Sequence, residues 1–314
     1  MHLNLVKPLH SEFLILMLEV AISSLKLKTP LMLASGIMDE QGDSMIMAAE
    51  HGAGAVVTKS IGIEERNGYE NPVVYELDTG LINAIGLANP GIDNFMEEIR
   101  KVKNKNIPII MSIFGNPDDY VFLAKKAEDF GADAVELNLS CPHVKGFGSE
   151  IGQDPELVEE IVKDVKRKVR IPVFTKLTPN VTDIIEIAKA AENSDALVLI
   201  NTVKSIAIDV WSKRPVLSNR FGGYSGPGIK PIGLRAVYDV RKEMNVPIIG
   251  VGGILTWKDA VEYILAGANA LQIGTAIYYL GWKAFEEINE GIKKYMESEG
   301  FRSIEDFSGL AQKW

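Results

Sequence analysis

Apolar residues along the chain alternate between two patterns. Short, nearly continuous β-rich runs occupy residues 31–34, 54–60, 108–114, 132–140, 171–177, 195–203, 247–253 and 270–276. Runs this short, without polar alternation, are those of strands buried on both faces. Between them the period shifts to that of a helix. Leu157, Val158, Ile161, Val162, Val165 and Val169 fall on one helical face, as a core-facing stripe does. Asp154-Pro155 and Asn116-Pro117 each set an N-cap residue ahead of a proline at the first helical position. Gly52-Ala53, Gly131-Ala132 and Gly267-Ala268 each set a helix stop directly before a strand.

Eight strand–helix units predict an α/β fold, a (β/α)8 TIM barrel, with a doubly wound open sheet as the rival architecture. The strand starts, at 31, 54, 108, 132, 171, 195, 247 and 270, are unevenly spaced. The long gaps all follow the second, fourth and sixth strands. Their surplus lies in 61–89, 141–153 and 204–228. These are long βα loops on the C-terminal face, where barrel active sites lie. Three long loops on one face predict a covered, water-excluding site. No break in composition marks a second domain, so residues 1–314 read as one barrel domain. Residues 1–16 fit none of its units. They read as an N-terminal extension, either an added strand or residues ahead of a natural start at Met17.

Composition removes several classes of partner. The 314 residues carry 33 Lys and Arg against 42 Asp and Glu, a net charge of −9. That balance lacks the positive field that nucleic acids and anionic membranes require. The longest early apolar run, 13–18, is too short to span a bilayer. It also lacks the basic flank and small-residue cleavage site of a signal peptide, so a cytoplasmic location is expected. Cys141 is the single cysteine, and His2, His10, His51 and His143 show no ligand spacing. No metal site is expected from that set.

Chemistry-bearing residues collect at the strand ends. Lys59 lies at the end of the second run and Lys176 at the end of the fifth. A buried amine needs a partner, either a salt bridge at the rim or an anionic ligand. Two lysines at equivalent ends favour an anion or an electron-rich ring at the mouth. The fourth run leads into Asn138-Leu139-Ser140-Cys141-Pro142-His143. A lone cysteine is commonly a small core hydrophobe. Cys141, however, opens a loop containing Gly146, Gly148 and Gly152, a position suited to a reactive base. The sixth run ends Ile200-Asn201-Thr202, and Asn83 lies in the first long loop. Asn83, Asn138 and Asn201 would suit a planar ring bearing both donors and acceptors. Gly252-Gly253 and Gly274-Thr275 end the seventh and eighth runs, where backbone N–H groups form the usual barrel phosphate site. Ser225-Gly226 in the third long loop would line the same pocket. A phosphate, a large ring beside two lysines and a smaller polar ring describe flavin mononucleotide (FMN) with a substrate. FMN would carry redox chemistry that the chain lacks metals to perform.

The chain resembles the dihydroorotate dehydrogenase family in its class 1 form, most closely subtype B. The likeness runs from about residue 20 to the C-terminus. It is carried by 83–91, 138–142, 175–183 (TKLTPNVTD), 222–231 (GGYSGPGIKP) and 248–253. Members of that family are FMN-containing barrels that oxidise (S)-dihydroorotate to orotate in pyrimidine synthesis. The resemblance implies that Cys141 is the catalytic base, removing a proton at C5 while hydride leaves C6 for flavin N5. It implies that Lys59 lies between flavin and substrate as a second catalytic residue. Asn83, Asn138, His143, Asn201 and Thr202 would hold the substrate, with Ile85, Gly86 and Leu87 near its carboxylate. Lys176 would stabilise negative charge at the N1/O2 edge of reduced flavin. Ala34, Ser35, Gly36, Lys59, Ser60, Asn138, Ile200, Ser225, Gly226, Gly252, Gly253, Gly274 and Thr275 would contact FMN. The subtype B likeness also implies a homodimer and an electron-transfer subunit carrying FAD and a 2Fe–2S cluster. One cysteine cannot hold that cluster on this chain.

After Cys141-Pro142 the orotate-forming enzymes usually carry asparagine, whereas this chain has His143. Dihydropyrimidine dehydrogenases share Cys-Pro-His, and also the stretches GQDPELV and KLTPNVTDI found here at 152–158 and 176–184. A uracil- or thymine-directed flavoenzyme is therefore one alternative, although 83–91 looks like the dihydroorotate enzymes. A non-redox, phosphate-binding barrel lyase or isomerase is the alternative from another class, since one fold hosts many chemistries.

Overall fold

The eight apolar runs become eight parallel strands. They are β1 Leu31–Leu33, β2 Ala55–Val57, β3 Ile109–Ile113, β4 Ala134–Asn138, β5 Val173–Leu177, β6 Ala196–Leu199, β7 Ile248–Val251 and β8 Ala270–Ile273. The structure, a computed structural model, describes residues 17–139 and 151–314. Each strand pairs with its neighbours in sequence, and β8 returns to β1, with Leu271 beside Leu31. That last pairing closes the barrel and removes the open-sheet alternative. Every strand residue is buried except Val251, which is half-buried. Burial on both faces is why the runs read as continuous rather than alternating. The strands are shorter than the apolar runs, because the backbone leaves the ladder near the mouth. Thr58 and Ile61 still donate across to Ile110 and Ser112 beyond the end of β2.

A helix follows each strand in the order the period predicts. These are α1 Gly42–Glu50, α2 Ile92–Lys103, α3 Asp119–Asp129, α4 Pro155–Lys166, α5 Ile184–Ala190, α6 Lys230–Glu243, α7 Trp257–Ala266 and α8 Ala276–Leu280, with α9 Lys283–Glu299 closing the chain. Asp154 caps α4 by accepting from the N–H groups of Glu156 at 3.0 Å and Leu157 at 3.2 Å. Val158, Ile161, Val162 and Val165 form its buried stripe. Asn116 is not the N-cap of α3. Asn116 N–H instead donates to the Asp119 carboxylate at 2.9 Å, so 116–118 form a turn and the helix begins at Asp119. Gly267 ends α7 at φ +117°, where a Cβ would meet Arg241 Cγ at 2.3 Å. Only glycine satisfies both the backbone angle and that approach.

The long loops contain structure that the chain's periodicity did not reveal. After β2, Val74–Leu77 and Gly80–Asn83 form a hairpin. After β6, Gly222–Ser225 pairs with Val203–Ser205 on one side and with Gly80–Asn83 on the other. Two loops from well-separated strands thus build one four-stranded antiparallel sheet. The signal available was Val73-Val74-Tyr75 ahead of Asp78-Thr79-Gly80, a β-rich run before a tight turn. The loop expected after β4 lies largely outside the described residues, and so do 1–16. Within 17–30, Val20–Ile22 and Leu25–Leu27 pair as a hairpin whose Val20, Ile22, Leu25 and Leu27 join the core. Among the described residues no helix is long and apolar enough to cross a membrane.

Asp154→Ala should lower stability by about 1 kcal/mol through loss of the α4 cap. Asp154→Asn should retain most of it. Denaturant midpoints compare the three proteins, and equal midpoints for Ala and wild type would contradict the capping role.

Candidate active site

One cavity of about 370 Å³ opens among the C-terminal strand ends. Its volume lies in the range of small-molecule sites. Ala34, Ser35 and Gly36 reach it from β1, Lys59 and Ser60 from β2, Asn138 from β4 and Lys176 from β5. Ile200, Asn201 and Thr202 follow β6, Gly252 and Gly253 follow β7, and Gly274 and Thr275 follow β8. The loop sheet and its flanks add Asn83, Ile85, Gly86, Leu87, Ser225 and Gly226. Every described residue named from the sequence therefore lines this single cavity. Cys141 and His143 lie outside the described residues.

The structure adds lining residues that the sequence reading missed. Glu136 and Gln272 are the polar additions, and Ile37, Val74, Leu81, Ile229, Val251, Ile254 and Tyr278 complete the wall. Glu136 stands two residues before Asn138, and Gln272 two before Gly274. Alternate strand positions share a face, so each was detectable as a polar residue inside an apolar run. The aliphatic additions look like any core residue in sequence.

Lys59 organises part of the wall with its neighbours. Its ammonium lies 3.1 Å from the exposed Glu40 carboxylate, a screened pair of small energetic weight. Its backbone N–H donates to the Asp39 carbonyl at 3.1 Å. The Asp39 carboxylate accepts from Gly36 N–H at 2.6 Å, fixing the turn after β1. Burial pushes the Asp39 carboxyl up to about 6, against the opposing pull of Lys59 and of that N–H. Asn138 donates through Nδ2 to Ser60 Oγ at 2.9 Å, and Ser60 is 2.9 Å from Ser112 Oγ. The Tyr120 hydroxyl donates to the Asn138 carbonyl at 3.1 Å. These bonds hold Asn138 in one orientation at the cavity wall.

Next to Asn138, three buried polar groups form a triangle. Lys176 Nζ donates to Gln272 Oε1 at 3.2 Å. Gln272 Nε2 donates to Glu136 Oε2 at 2.5 Å. Glu136 Oε1 lies 3.4 Å from Lys176 Nζ, within ion-pair range but without hydrogen-bond geometry. An ammonium only donates and a carboxylate only accepts, which dictates which way the Gln272 amide points.

Glycine shapes the remaining rim. Gly36, at φ +101°, would point a Cβ where no heavy atom lies within 4 Å. A Cβ on Gly274 would meet only Ala34 Cβ, at 3.7 Å. Both would therefore narrow the open cavity itself. At Gly253, φ +71°, a Cβ would meet the Gly226 carbonyl at 2.8 Å, so the loops after β6 and β7 approach as bare backbone. The Tyr263 hydroxyl braces that rim by donating to the Gly252 carbonyl at 2.7 Å. Burial pushes its pKa well above that of a free phenol, so it stays a protonated donor. A rim of backbone and a buried cation lining the same cavity fit a phosphate and a flat, electron-accepting ring. The residues present thus fit FMN.

Comparison with known proteins agrees with this chemistry. Residues 17–296 match the family model described as dihydroorotate dehydrogenase. The chain is 57% identical over 295 residues to the dihydroorotate dehydrogenase B (NAD(+)), catalytic subunit, of Thermoplasma acidophilum, covering 94% of this chain and 98% of that protein. It is 57% identical over 300 residues to the protein of the same name from Pyrococcus abyssi, covering 95% and 100%. With the one from Methanocaldococcus jannaschii it shares 47% over 304 residues, covering 95% and 99%.

Lys176→Met leaves Glu136 buried without its cation and should cost about 3–5 kcal/mol. Adding Glu136→Gln should restore most of that loss in urea unfolding. A double variant no more stable than the single one would show that the pair is not coupled.

Proposed function

Because the chain belongs to the dihydroorotate dehydrogenase family, we propose that it oxidises (S)-dihydroorotate to orotate in pyrimidine biosynthesis, with FMN as its cofactor. The observation that carries this reading is the single cavity that unites a glycine rim, two lysines and three asparagines. Bound FMN supplies a hydride acceptor. Gly252, Gly253, Gly274 and Thr275 would hold its phosphate through backbone N–H groups, with Ser225 and Gly226 lining the same cavity. Ala34, Ser35, Gly36, Ser60 and Ile200 contact its ring system and chain. Lys176 would provide positive charge beside the ring.

Asn83, Asn138 and Asn201, with Thr202, present donors and acceptors to the flat substrate ring. The backbone of Ile85, Gly86 and Leu87 meets its carboxylate, and Lys59 adds positive charge on the same side. Cys141 takes the proton from C5, and His143 stands beside it in sequence. A thiol of ordinary pKa, about 8.5, is a weak base at neutral pH, so turnover should rise as pH approaches that value. The loop sheet lines the cavity, and exclusion of water by bound ligands would strengthen each of these polar contacts. The names of the relatives support a partner: they are catalytic subunits of NAD(+) enzymes. We assign that partner FAD and a 2Fe–2S cluster. We also read the chain as one FMN-binding domain, with 1–16 as an N-terminal extension, working in the cytoplasm.

Cys141-Pro142-His143 favours a second reading, oxidation of a dihydrouracil or dihydrothymine ring. The purified protein should be yellow, and dihydroorotate should bleach it under argon while the other two dihydropyrimidines do not. Colourless protein that cannot be reconstituted with FMN would overturn the flavin reading. Turnover without FMN would instead point to a lyase or isomerase. Cys141→Ser should keep FMN and lose at least about tenfold in turnover at neutral pH. Wild-type rates in that variant would remove Cys141 from the role of base.

A further inference from the structure

The proposed reaction gives no role to Glu136, yet this carboxylate is wholly buried in the barrel. A charge in that position is costly unless it is compensated. It belongs to the triangle with Lys176 and Gln272, in which Gln272 contacts both charged groups. All three residues line the cavity. The ammonium that faces the proposed flavin is therefore not a bare cation. Its field is partly cancelled by a carboxylate 3.4 Å away, in surroundings where charges are weakly screened.

We propose that Glu136, acting through Lys176 and held by Gln272, sets the electron affinity of the bound flavin. Reduction places negative charge on the ring, and an uncompensated buried lysine would hold those electrons tightly. Glu136 offsets part of that attraction and leaves the reduced cofactor able to pass its electrons on. This deepens the flavin reading above and rests on it. Glu136 is a positioning and field-setting residue and makes no bond to substrate in the reaction. Gln272 gives the device rigidity, because its amide can satisfy both neighbours in only one orientation.

The test is Glu136→Gln, a change of charge at nearly constant shape, measured in the FMN-loaded protein. Removal of the carboxylate should favour reduced over oxidised FMN at least tenfold, a rise of about 30 mV for a two-electron couple. Sulfite is the second probe, since its addition to oxidised flavin also leaves negative charge on the ring. Its dissociation constant should fall at least tenfold. A merely structural role for Glu136 would move neither quantity in a concerted direction. Glu136→Asp withdraws the charge from Lys176 and should shift both in the same direction by less, which serves if the Gln variant does not fold. Bound FMN with both quantities within twofold of wild type, or with a lowered potential, would overturn the inference alone. Failure of the wild-type chain to bind FMN would overturn the flavin reading on which it rests.

Discussion

A lysine and a glutamate buried side by side inside a closed barrel constrain the architecture around them. Each ion costs several kcal/mol to remove from water, and only close, hydrogen-bonded geometry offsets that. Glu136 belongs to β4, Lys176 to β5 and Gln272 to β8. The first two are neighbours in the sheet, with Asn138 beside Lys176 in the parallel register. Gln272 reaches them only because β8 pairs with β1 and brings the last strand round to the others. An open sheet of the same strands would leave Gln272 at a far edge and the ion pair without its bridging amide. Closure, burial and charge satisfaction are therefore one condition here.

The same closure divides labour between side chain and backbone around the cavity. Strands β2, β4 and β5 bring side chains with strong polar groups: Lys59, Asn138 and Lys176. The ends of β7 and β8 contribute glycine backbone, where the chain can come close to a ligand and offer N–H groups. The sheet built from the loops after β2 and β6 adds Val74, Leu81, Asn83 and Ser225 to the lining. It places Asn83 beside Gly223, to whose carbonyl Asn83 donates at 3.3 Å. A rigid barrel thus carries the charged groups, and a separately paired sheet carries part of the polar substrate wall.

What could be read in advance follows the same physics. The barrel strands were legible because double burial makes each a continuous apolar run. The α4 cap was legible because Asp-Pro specifies both the cap and the first helical position. Asn116-Pro117 misled, because Asp119 offers a carboxylate that draws the Asn116 N–H into a turn instead. The loop sheet was opaque because Val74–Leu77 is mostly exposed, so no apolar face declares it. Lys59, Lys176 and the asparagines stood out as polar residues at strand ends. Glu136 and Gln272 did not, because their meaning depends on partners from other strands, and Gln272 lies far away along the chain. Cys141 and His143 rest on their sequence context and on the family to which the chain belongs.

This one cavity would hold FMN beside dihydroorotate, with the bound cofactor supplying a hydride acceptor for the substrate. A single-turnover experiment under argon tests it most directly, with orotate formed counted against FMN bound and no other electron acceptor present. One orotate per flavin, appearing at the rate at which the flavin loses its colour, is the predicted result. Orotate formed without loss of flavin colour, or flavin reduced without orotate, would contradict the account.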